Sequence, residues 1–293
     1  MDPSFRRPLG LALCGGGALG AWEAGCLAAL SRAGLVFDRV VGFSSGALCG
    51  AAYFLGREEE LLQEWRQISR RRVLRFRPRL KPLSLFSSKP LWEALDSWGG
   101  EPRAKLSGRC ELTVVSLCAD DRIPAYARFT PRGDRGWDGP WEARLAASCA
   151  IPWVFPPVVL SEGGRARSYV DGGVPGRERL SFDCLKGSAD VIALDLVRPE
   201  ELGRGRWGPL GRLDQRLRET VRRQMNDGLE ALPGLPGPPR LFRLAPSRVL
   251  DYLSFDFSSR ACAPAVDLGL SDGERFLGSP ESCRVESGRI ALS

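Results

Sequence analysis

The stretch Leu9–Tyr53 contains two consecutive strand–turn–helix units, and this pattern constrains the fold more than any other part of the sequence. The first unit is an apolar strand at Leu9–Cys14, a run of three glycines at 15–17 and an amphipathic helix. The second is a strand at Phe37–Val41, a glycine-bounded turn at 42–46 and an apolar helix. Short apolar strands that alternate with helices predict an α/β fold.

The glycine run places residues without a Cβ atom next to the first N–H groups of a helix. Those N–H groups have no partner inside the helix, and an anion can approach the main chain closely where side chains are absent. Gly15, Gly16 and Gly17 are therefore predicted to bind a negatively charged oxygen.

The second turn has the pattern G-x-S-x-G, with Ser44 at its centre. Glycines two residues on either side allow the chain to turn sharply from strand to helix and to expose the serine hydroxyl. The same pattern occurs around Ser271, between Gly269 and Gly273. Ser44 stands between two apolar runs, whereas Ser271 follows helix-like sequence and precedes polar residues. We therefore predict Ser44 as the nucleophile.

Composition limits the choice of catalytic base. The chain contains no histidine, which excludes every Ser-His-Asp and Cys-His mechanism. It contains four lysines, and none follows a serine by three residues, so the S-x-x-K signature is absent too. The remaining base is a carboxylate. Asp171 is the best candidate, because an extended segment ends there in the only D-G-G sequence of the chain.

Four motifs in this order resemble those of the patatin-like phospholipases. The glycine run resembles the family's G-G-G-x-[R/K]-G loop, and the serine turn and the D-G-G sequence resemble its G-x-S-x-G and D-G-[G/A] motifs. The segment Ala147–Pro157 resembles the family's A-S-x-A-x-P-x-x-F-P-P block. The ordered matches extend from residue 9 to residue 173, and Phe255–Leu277 resembles the closing helix of the family more loosely.

The resemblance implies a three-layer α/β/α fold with a mainly parallel central sheet. It also implies a Ser44–Asp171 catalytic dyad, an oxyanion hole at Gly15–Gly17, and hydrolysis of lipid acyl esters of the phospholipase A or lysophospholipase type, without a cofactor. A free aspartate has a pKa of about 3.9 and is a weak base, so burial is expected to raise the pKa of Asp171. Apolar residues of the Pro-rich block are expected to contact the acyl chain: Trp153, Val154 and Phe155.

Two departures from the family's motifs concern the head-group side of the site. Leu19 stands where the family has Arg or Lys in the glycine loop, and Val174-Pro175 follow D-G-G in place of Asn-x-Pro. These departures keep open an alternative function, a catalytically weak or inactive module that binds lipid. An acyltransferase is a further alternative, because the same serine would transfer its acyl group to an acceptor other than water.

A basic segment follows the second unit. Arg70–Lys81 contains seven basic residues in twelve and no acid. We interpret residues 70–90 as a lid or cap whose arginines meet anionic membrane lipids while its apolar residues enter the surface. These apolar residues are Phe76, Leu83, Leu85 and Phe86. A solvated run of charge is the alternative, and nucleic acid is not predicted as a partner because no recognised binding module accompanies the charge.

A chain of 293 residues suits a single α/β domain, which we place at 9–277 between tails at 1–8 and 278–293. Nine cysteines are scattered without a C-x-x-C pair, which predicts reduced thiols in the cytoplasm and, with no histidine, no metal site. No stretch approaches the roughly 20 apolar residues that span a bilayer, and the short run before the glycines is not expected to be a signal peptide. A cytoplasmic or peripheral membrane protein is therefore expected, and its oligomeric state stays open.

The remaining elements are predicted from periodicity and turn residues. Apolar runs predict strands at 111–118, 189–197 and 240–244, and a hairpin turn is predicted at 162–164. Helices are predicted at 57–72, 89–98, 141–150 and 212–231, the last with a solvent-exposed basic face.

Overall fold

The computed structural model describes residues 5–131, 136–201, 208–230, 232 and 238–285. Within these residues, a nine-stranded sheet forms the centre and a separate two-stranded sheet lies outside it. The strands are β1 (Leu9–Leu13), β2 (Arg39–Phe43), β3 (Arg75–Leu80), β4 (Leu83–Ser87), β5 (Glu111–Cys118), β6 (Ile123–Phe129), β7 (Val158–Glu162), β8 (Arg165–Asp171), β9 (Asp190–Leu194), β10 (Arg240–Leu244) and β11 (Arg284–Val285). The helices are α1 (Gly20–Arg32), α2 (Ser45–Leu55), α3 (Glu58–Arg66), α4 (Arg70–Val73), α5 (Lys89–Ser97), α6 (Gly100–Ser107), α7 (Trp141–Ser148), α8 (Gly208–Glu230) and α9 (Ser259–Gly278).

Five neighbouring strands form the parallel part of the central sheet, in the order β10-β9-β1-β2-β5. Strands β6, β7, β8 and β11 pair in the antiparallel sense. All five residues of β1 and all five of β9 are buried, so both faces of the sheet are covered at its centre. The predicted α/β fold with a mainly parallel central sheet is confirmed.

The segment between α2 and α5 differs from the predicted single helix at 57–72. It forms two helices, α3 and α4, and Ser69 between them has an extended backbone with φ −134° and ψ 147°. Serine favours such a conformation at the N-terminus of a helix. Strands β3 and β4 follow and make the separate two-stranded sheet.

The second G-x-S-x-G sequence lies inside α9, where Ser271 is exposed. A Cβ on Gly269 would lie 2.0 Å from the carbonyl oxygen of Trp22 in α1, and a Cβ on Gly273 would lie 2.7 Å from the Cβ of Ala29. These glycines therefore allow α1 and α9 to pack closely. The match around Ser271 belongs to a helix–helix contact and not to a strand–turn–helix elbow.

The described parts of both predicted tails contact the sheet. The ring centroid of Phe5 lies 5.2 Å from that of Phe242 and 5.8 Å from that of Phe276. Strand β11 pairs with β10. The predicted boundaries at 9 and 277 thus leave out residues that pack on the domain, while residues 1–4 and 286–293 lie outside the described part of the chain.

The structure also bears on disulfides, metal sites and membrane spans. All nine cysteines, which lie in described segments, are free thiols. Across the described ranges, the side chains of His, Cys, Asp and Glu form no group of three or more suited to a metal ion. None of the helices that the structure describes combines the length and the apolar character needed to cross a bilayer.

Candidate active site

The ends of two strands meet on one edge of β5. Strand β6 occupies the opposite edge, so β2 and β8 share the remaining one. Phe43 at the end of β2 pairs with Val115, and Asp171 at the end of β8 pairs with Ser116. Because β2 and β8 run in opposite directions, their carboxyl ends face each other. The topology therefore brings Ser44, which follows Phe43, next to Asp171.

Ser44 occupies the sharp turn between β2 and α2. Its φ is positive, 54°, with ψ −128°, a conformation that costs a non-glycine residue about 1–3 kcal/mol. A Cβ on Gly42 would lie 2.5 Å from the carbonyl oxygen of Gly46, and a Cβ on Gly46 would lie 2.6 Å from that of Leu13. Only glycine fits at these two positions, so the G-x-S-x-G sequence forms the strand–turn–helix elbow that its context predicts.

Residues at the end of α7 hold both sides of the site. The hydroxyl oxygen of Ser148 accepts a hydrogen bond from the Ser44 N–H at 2.9 Å, and the same hydroxyl donates to the carbonyl of Val115 at 2.6 Å. The Asp171 N–H donates to the carbonyl of Ala150 at 3.0 Å. Sequence reasoning did not single out Ser148, although the A-S-x-A block contains it. This block fixes the elbow and the aspartate relative to each other.

Asp171 is buried, and its two carboxylate oxygens differ. Oδ1 accepts the N–H of Gly173 at 2.7 Å. Oδ2 is buried and has no hydrogen-bond partner of ordinary geometry among the described residues. Burial raises the pKa of Asp171 from 3.8 to about 6, while the nearby Ser44 hydroxyl and the Gly173 N–H limit the rise. Asp171 is thus mostly ionised at neutral pH, and Oδ2 has a free lone pair beside Ser44.

The glycine loop lies directly against the elbow. A Cβ on Gly15 would lie 2.7 Å from the Cβ of Ser44, so no side chain fits between them. The Gly16 N–H donates to the hydroxyl of Ser45 at 3.1 Å. Within the described residues, the N–H groups of Gly15 and Gly17 donate to no acceptor. Of the three glycine amides predicted from the sequence, two are therefore available to an anion and one is engaged.

A buried arginine is linked to the end of the glycine loop through a chain of hydrogen bonds. Arg218 of α8 pairs with Glu201 at 2.7 Å and with Asp214 at 2.9 Å. Asp214 accepts the N–H of Ser254 at 2.6 Å, and the carbonyl of Ser254 accepts the N–H of Ala18 at 2.8 Å. The prediction of a solvent-exposed basic face on α8 is wrong for Arg218. Glu201, which lies outside α8, neutralises part of the charge of the buried Arg218. The spacing of residues along the helix cannot reveal a partner from another segment.

Two cavities meet at Ser44. The larger has a volume of about 550 Å³ and is lined mainly by apolar side chains. They include Leu48, Leu61, Trp65, Leu91, Leu95 and Phe155. The smaller has a volume of about 230 Å³ and is lined by the glycine loop, Ser44, Asp171, Arg216 and Leu217, among others. The serine hydroxyl therefore lies between an apolar cavity and a cavity that contains the carboxylate.

The three residues expected to contact an acyl chain differ in position. Phe155 lines the larger cavity. Trp153 and Val154 are not among the residues that line either cavity. Trp153 has a positive φ of 65° and is 71% exposed, and the carbonyls of residues 153 and 154 bind the main chain of β4.

Leu19 stands at the position where the patatin-like motif has Arg or Lys, so the glycine loop itself carries no cationic side chain. Leu19 is buried in the core. Arg216 of α8 instead lines the smaller cavity and is exposed. Among the residues that the structure describes, no carboxylate forms an ion pair with it. Arg216 is therefore the cationic side chain that a ligand in this cavity would meet.

The fold and the site together define a class of α/β protein in which a serine at a strand–helix elbow lies beside a buried aspartate and a glycine loop. A family model described as patatin-like phospholipase matches residues 11–175. Because the match covers more than half of the chain, the chain belongs to the patatin-like phospholipase family.

The chain is also similar to curated relatives and to solved structures. An uncharacterised NTE family protein of Mycobacterium bovis and one of Mycobacterium tuberculosis are each 48% identical over 202 residues, which cover 66% of this chain and 31% of theirs. The chain thus spans about a third of the length of these relatives. VipD from Legionella pneumophila has a TM-score of 0.47 and 14% identity, over 95% of this chain and 68% of that one. Human GIVD cytosolic phospholipase A2 has a TM-score of 0.47 and 12% identity, over 94% and 59%.

Proposed function

We propose that this chain hydrolyses fatty acyl esters of lipids, of the phospholipase A or lysophospholipase type, with Ser44 as nucleophile and Asp171 as general base. The observation that carries the proposal is the position of Ser44. Its hydroxyl lies between a cavity of about 550 Å³ with an apolar lining and a buried carboxylate oxygen without a partner among the described residues. Family membership supports a lipid as the substrate.

The proposed reaction has two steps on the same residues. Oδ2 of Asp171 accepts the Ser44 proton as Oγ attacks the ester carbonyl carbon, and the N–H groups of Gly15 and Gly17 stabilise the negative oxygen. Asp171 then returns the proton to the leaving alcohol, which leaves an acyl group on Ser44. Asp171 next accepts a proton from a water molecule as that water attacks the acyl group and releases the fatty acid. The proton passes from Asp171 to Oγ, so Ser44 and Asp171 return to their starting states. No cofactor takes part.

The larger cavity is proposed to hold the acyl chain. Its volume lies within the usual range for ligand sites, roughly 300–1,000 Å³. Each methylene that leaves water contributes about 0.8 kcal/mol to binding, and most of the side chains along the lining are apolar. A fatty acyl chain therefore suits this cavity better than a sugar or a nucleotide does.

Two measurements with the purified chain test this function. A fluorophosphonate probe should label Ser44, and a panel of phospholipids and lysophospholipids should release free fatty acid. Binding of lipid without labelling or release would contradict the proposal and favour a lipid-binding module. Labelling with transfer of the acyl group to added lysophospholipid, in place of release, would favour an acyltransferase.

The pH dependence of hydrolysis should follow Asp171. Its pKa is raised to about 6 by burial, so the carboxylate is protonated and inactive as a base below that pH. We expect kcat/KM for an uncharged ester to rise about tenfold per pH unit below about 6 and to level off above it. Initial rates from about pH 4.5 to pH 8 measure this profile. An inflection near 4, as for an exposed aspartate, would contradict the role of Asp171.

Arg216 should select anionic head groups in the smaller cavity. A charge-assisted hydrogen bond to a phosphate is worth about 1.5–3 kcal/mol when protected from water, and less at an exposed side chain. We expect Arg216→Gln to lower kcat/KM for lysophosphatidylglycerol roughly three- to tenfold, and to leave a neutral p-nitrophenyl ester unchanged. Arg223→Gln, an exposed arginine of the same helix outside the cavity, is the matched control. Equal losses on both substrates would exclude a role in head-group selection.

A further inference from the structure

Strands β3 and β4 form a hairpin that exposes large apolar side chains. Leu80 is 89% exposed and Phe76 is 69% exposed, and Leu83 and Leu85 are also exposed. All six residues of β3 are accessible to solvent, so neither of its faces is packed on the domain. An apolar surface of this kind is unusual on a protein that remains in water.

The same hairpin carries a concentration of positive charge. The basic residues of α4, β3 and the turn after β3 are Arg70, Arg71, Arg72, Arg75, Arg77, Arg79 and Lys81. Within the described part of the chain, only Arg70 forms an ion pair, with Asp256 at 3.6 Å. Arginine and apolar side chains therefore occur together on a surface where one described ion pair neutralises one of seven basic residues.

Trp153 extends this surface. The N–H groups of Leu85 and Phe86 donate to the carbonyls of residues 153 and 154, at 2.9 and 2.8 Å. These hydrogen bonds hold the main chain of residues 153 and 154 beside β4, and the side chain of Trp153 is exposed there. We call the set of Leu80, Leu83, Leu85 and Trp153 the apolar collar.

The apolar collar lies at the border of the larger cavity. Arg72 and Val73, just before the hairpin, and Ser87 and Ser88, at its end, all line that cavity. Phe155 lines it as well, two residues after Trp153. A surface that the collar contacts is thus next to the cavity proposed for the acyl chain.

We propose that the hairpin and Trp153 dock this chain on an anionic lipid bilayer. The apolar collar enters the interfacial region, while the arginines contact lipid phosphates, as amphipathic membrane-binding segments do. Tryptophan is enriched at this depth of a membrane. The unpaired arginines would repel a second copy of the hairpin, which argues against a dimer through this face. The consequence for catalysis, delivery of lipid to Ser44, rests on the proposed function, but bilayer binding does not.

Vesicle sedimentation with the full chain tests the docking. The chain should bind phosphatidylcholine vesicles that contain phosphatidylglycerol at least about tenfold more tightly than vesicles of phosphatidylcholine alone. The triple variant R75Q/R77Q/R79Q should lose most of this preference. The control triple variant R165Q/R223Q/R260Q removes the same charge from exposed arginines elsewhere and should keep it. Equal binding to both vesicles, or equal losses in both triple variants, would overturn the proposal.

A second pair of measurements separates insertion from charge alone. Leu80→Ser with Leu83→Ser should weaken vesicle binding at least about fivefold without altering unfolding, since both side chains are exposed. Brominated lipids should quench tryptophan fluorescence of the wild type, and less so that of Trp153→Phe. No change in either measurement would contradict insertion, and tighter binding to single-stranded RNA than to anionic vesicles would assign the surface to nucleic acid.

Activity distinguishes a failure of docking from a failure of the proposed function. The hairpin variants should hydrolyse a dissolved short-chain ester at the wild-type rate and lose activity only on vesicles. A chain that binds anionic vesicles but hydrolyses nothing would leave the docking intact and contradict the hydrolase. A chain that hydrolyses dissolved esters but does not bind anionic vesicles would contradict the docking and leave the hydrolase function intact.

Discussion

Ser44→Ala is expected to lower kcat/KM for acyl esters by about a thousandfold or more and to abolish labelling by a fluorophosphonate. Removal of the nucleophile eliminates the covalent route, and only oxyanion stabilisation and substrate binding remain. Alanine keeps the Cβ atom that packs against Gly15, so the fold should survive. Rates on a p-nitrophenyl ester and on a phospholipid, together with the thermal unfolding midpoint, measure the two effects separately.

Ser271→Ala is the matched control for this experiment. Ser271 lies at the centre of the second G-x-S-x-G sequence, but it is exposed on α9. The same substitution there should change neither the rate nor the labelling. Labelling that persists in Ser44→Ala, or disappears in Ser271→Ala, would remove Ser44 from the proposed mechanism.

Local turn chemistry made the elbow and the glycine loop predictable. Gly15, Gly42 and Gly46 lie where a Cβ would collide with neighbouring atoms, and such requirements appear in a sequence as glycines at fixed spacing. Asp171 could be proposed as the base because the composition lacks histidine and because it stands in the only D-G-G sequence of the chain. The pairing of β2 and β8 on one edge of β5 explains why motifs far apart in sequence meet.

Tertiary contacts explain what the sequence did not reveal. Ser148 binds the main chain of Ser44 and of Val115, and no sequence motif marks either of these long-range hydrogen bonds. The sequence pattern predicts Arg218 on the polar face of an amphipathic helix, whereas in the structure it is buried and pairs with Glu201. Trp153 belongs to an apolar block, but its positive φ accompanies an exposed side chain. In each case the partner, and not the residue type, decides the role.

Asp171→Asn is expected to lower kcat/KM by about a thousandfold while it stabilises the folded chain near neutral pH. The amide cannot accept the Ser44 proton, so general-base catalysis is lost. Asparagine has nearly the same shape, and its oxygen can still accept the Gly173 N–H that Oδ1 now accepts. Rates of the wild type and the variant on the same ester measure the loss. A rate within about tenfold of the wild type would exclude Asp171 as the base.

The stability of Asp171→Asn tests the electrostatic cause independently of catalysis. A pKa raised from 3.8 to about 6 means that the folded chain binds this proton more tightly than the unfolded chain. The resulting stability is full below about pH 3.8, falls as the pH rises towards 6, and is absent above it, a loss of roughly 3 kcal/mol. Asparagine does not titrate. We therefore expect urea unfolding to give the variant an advantage of up to about 3 kcal/mol at pH 7.5 and much less at pH 4.5. Ser44→Ala keeps the buried carboxylate, so it should show no such gain, and a variant equally or less stable than the wild type at both pH values would contradict a carboxylate destabilised by burial.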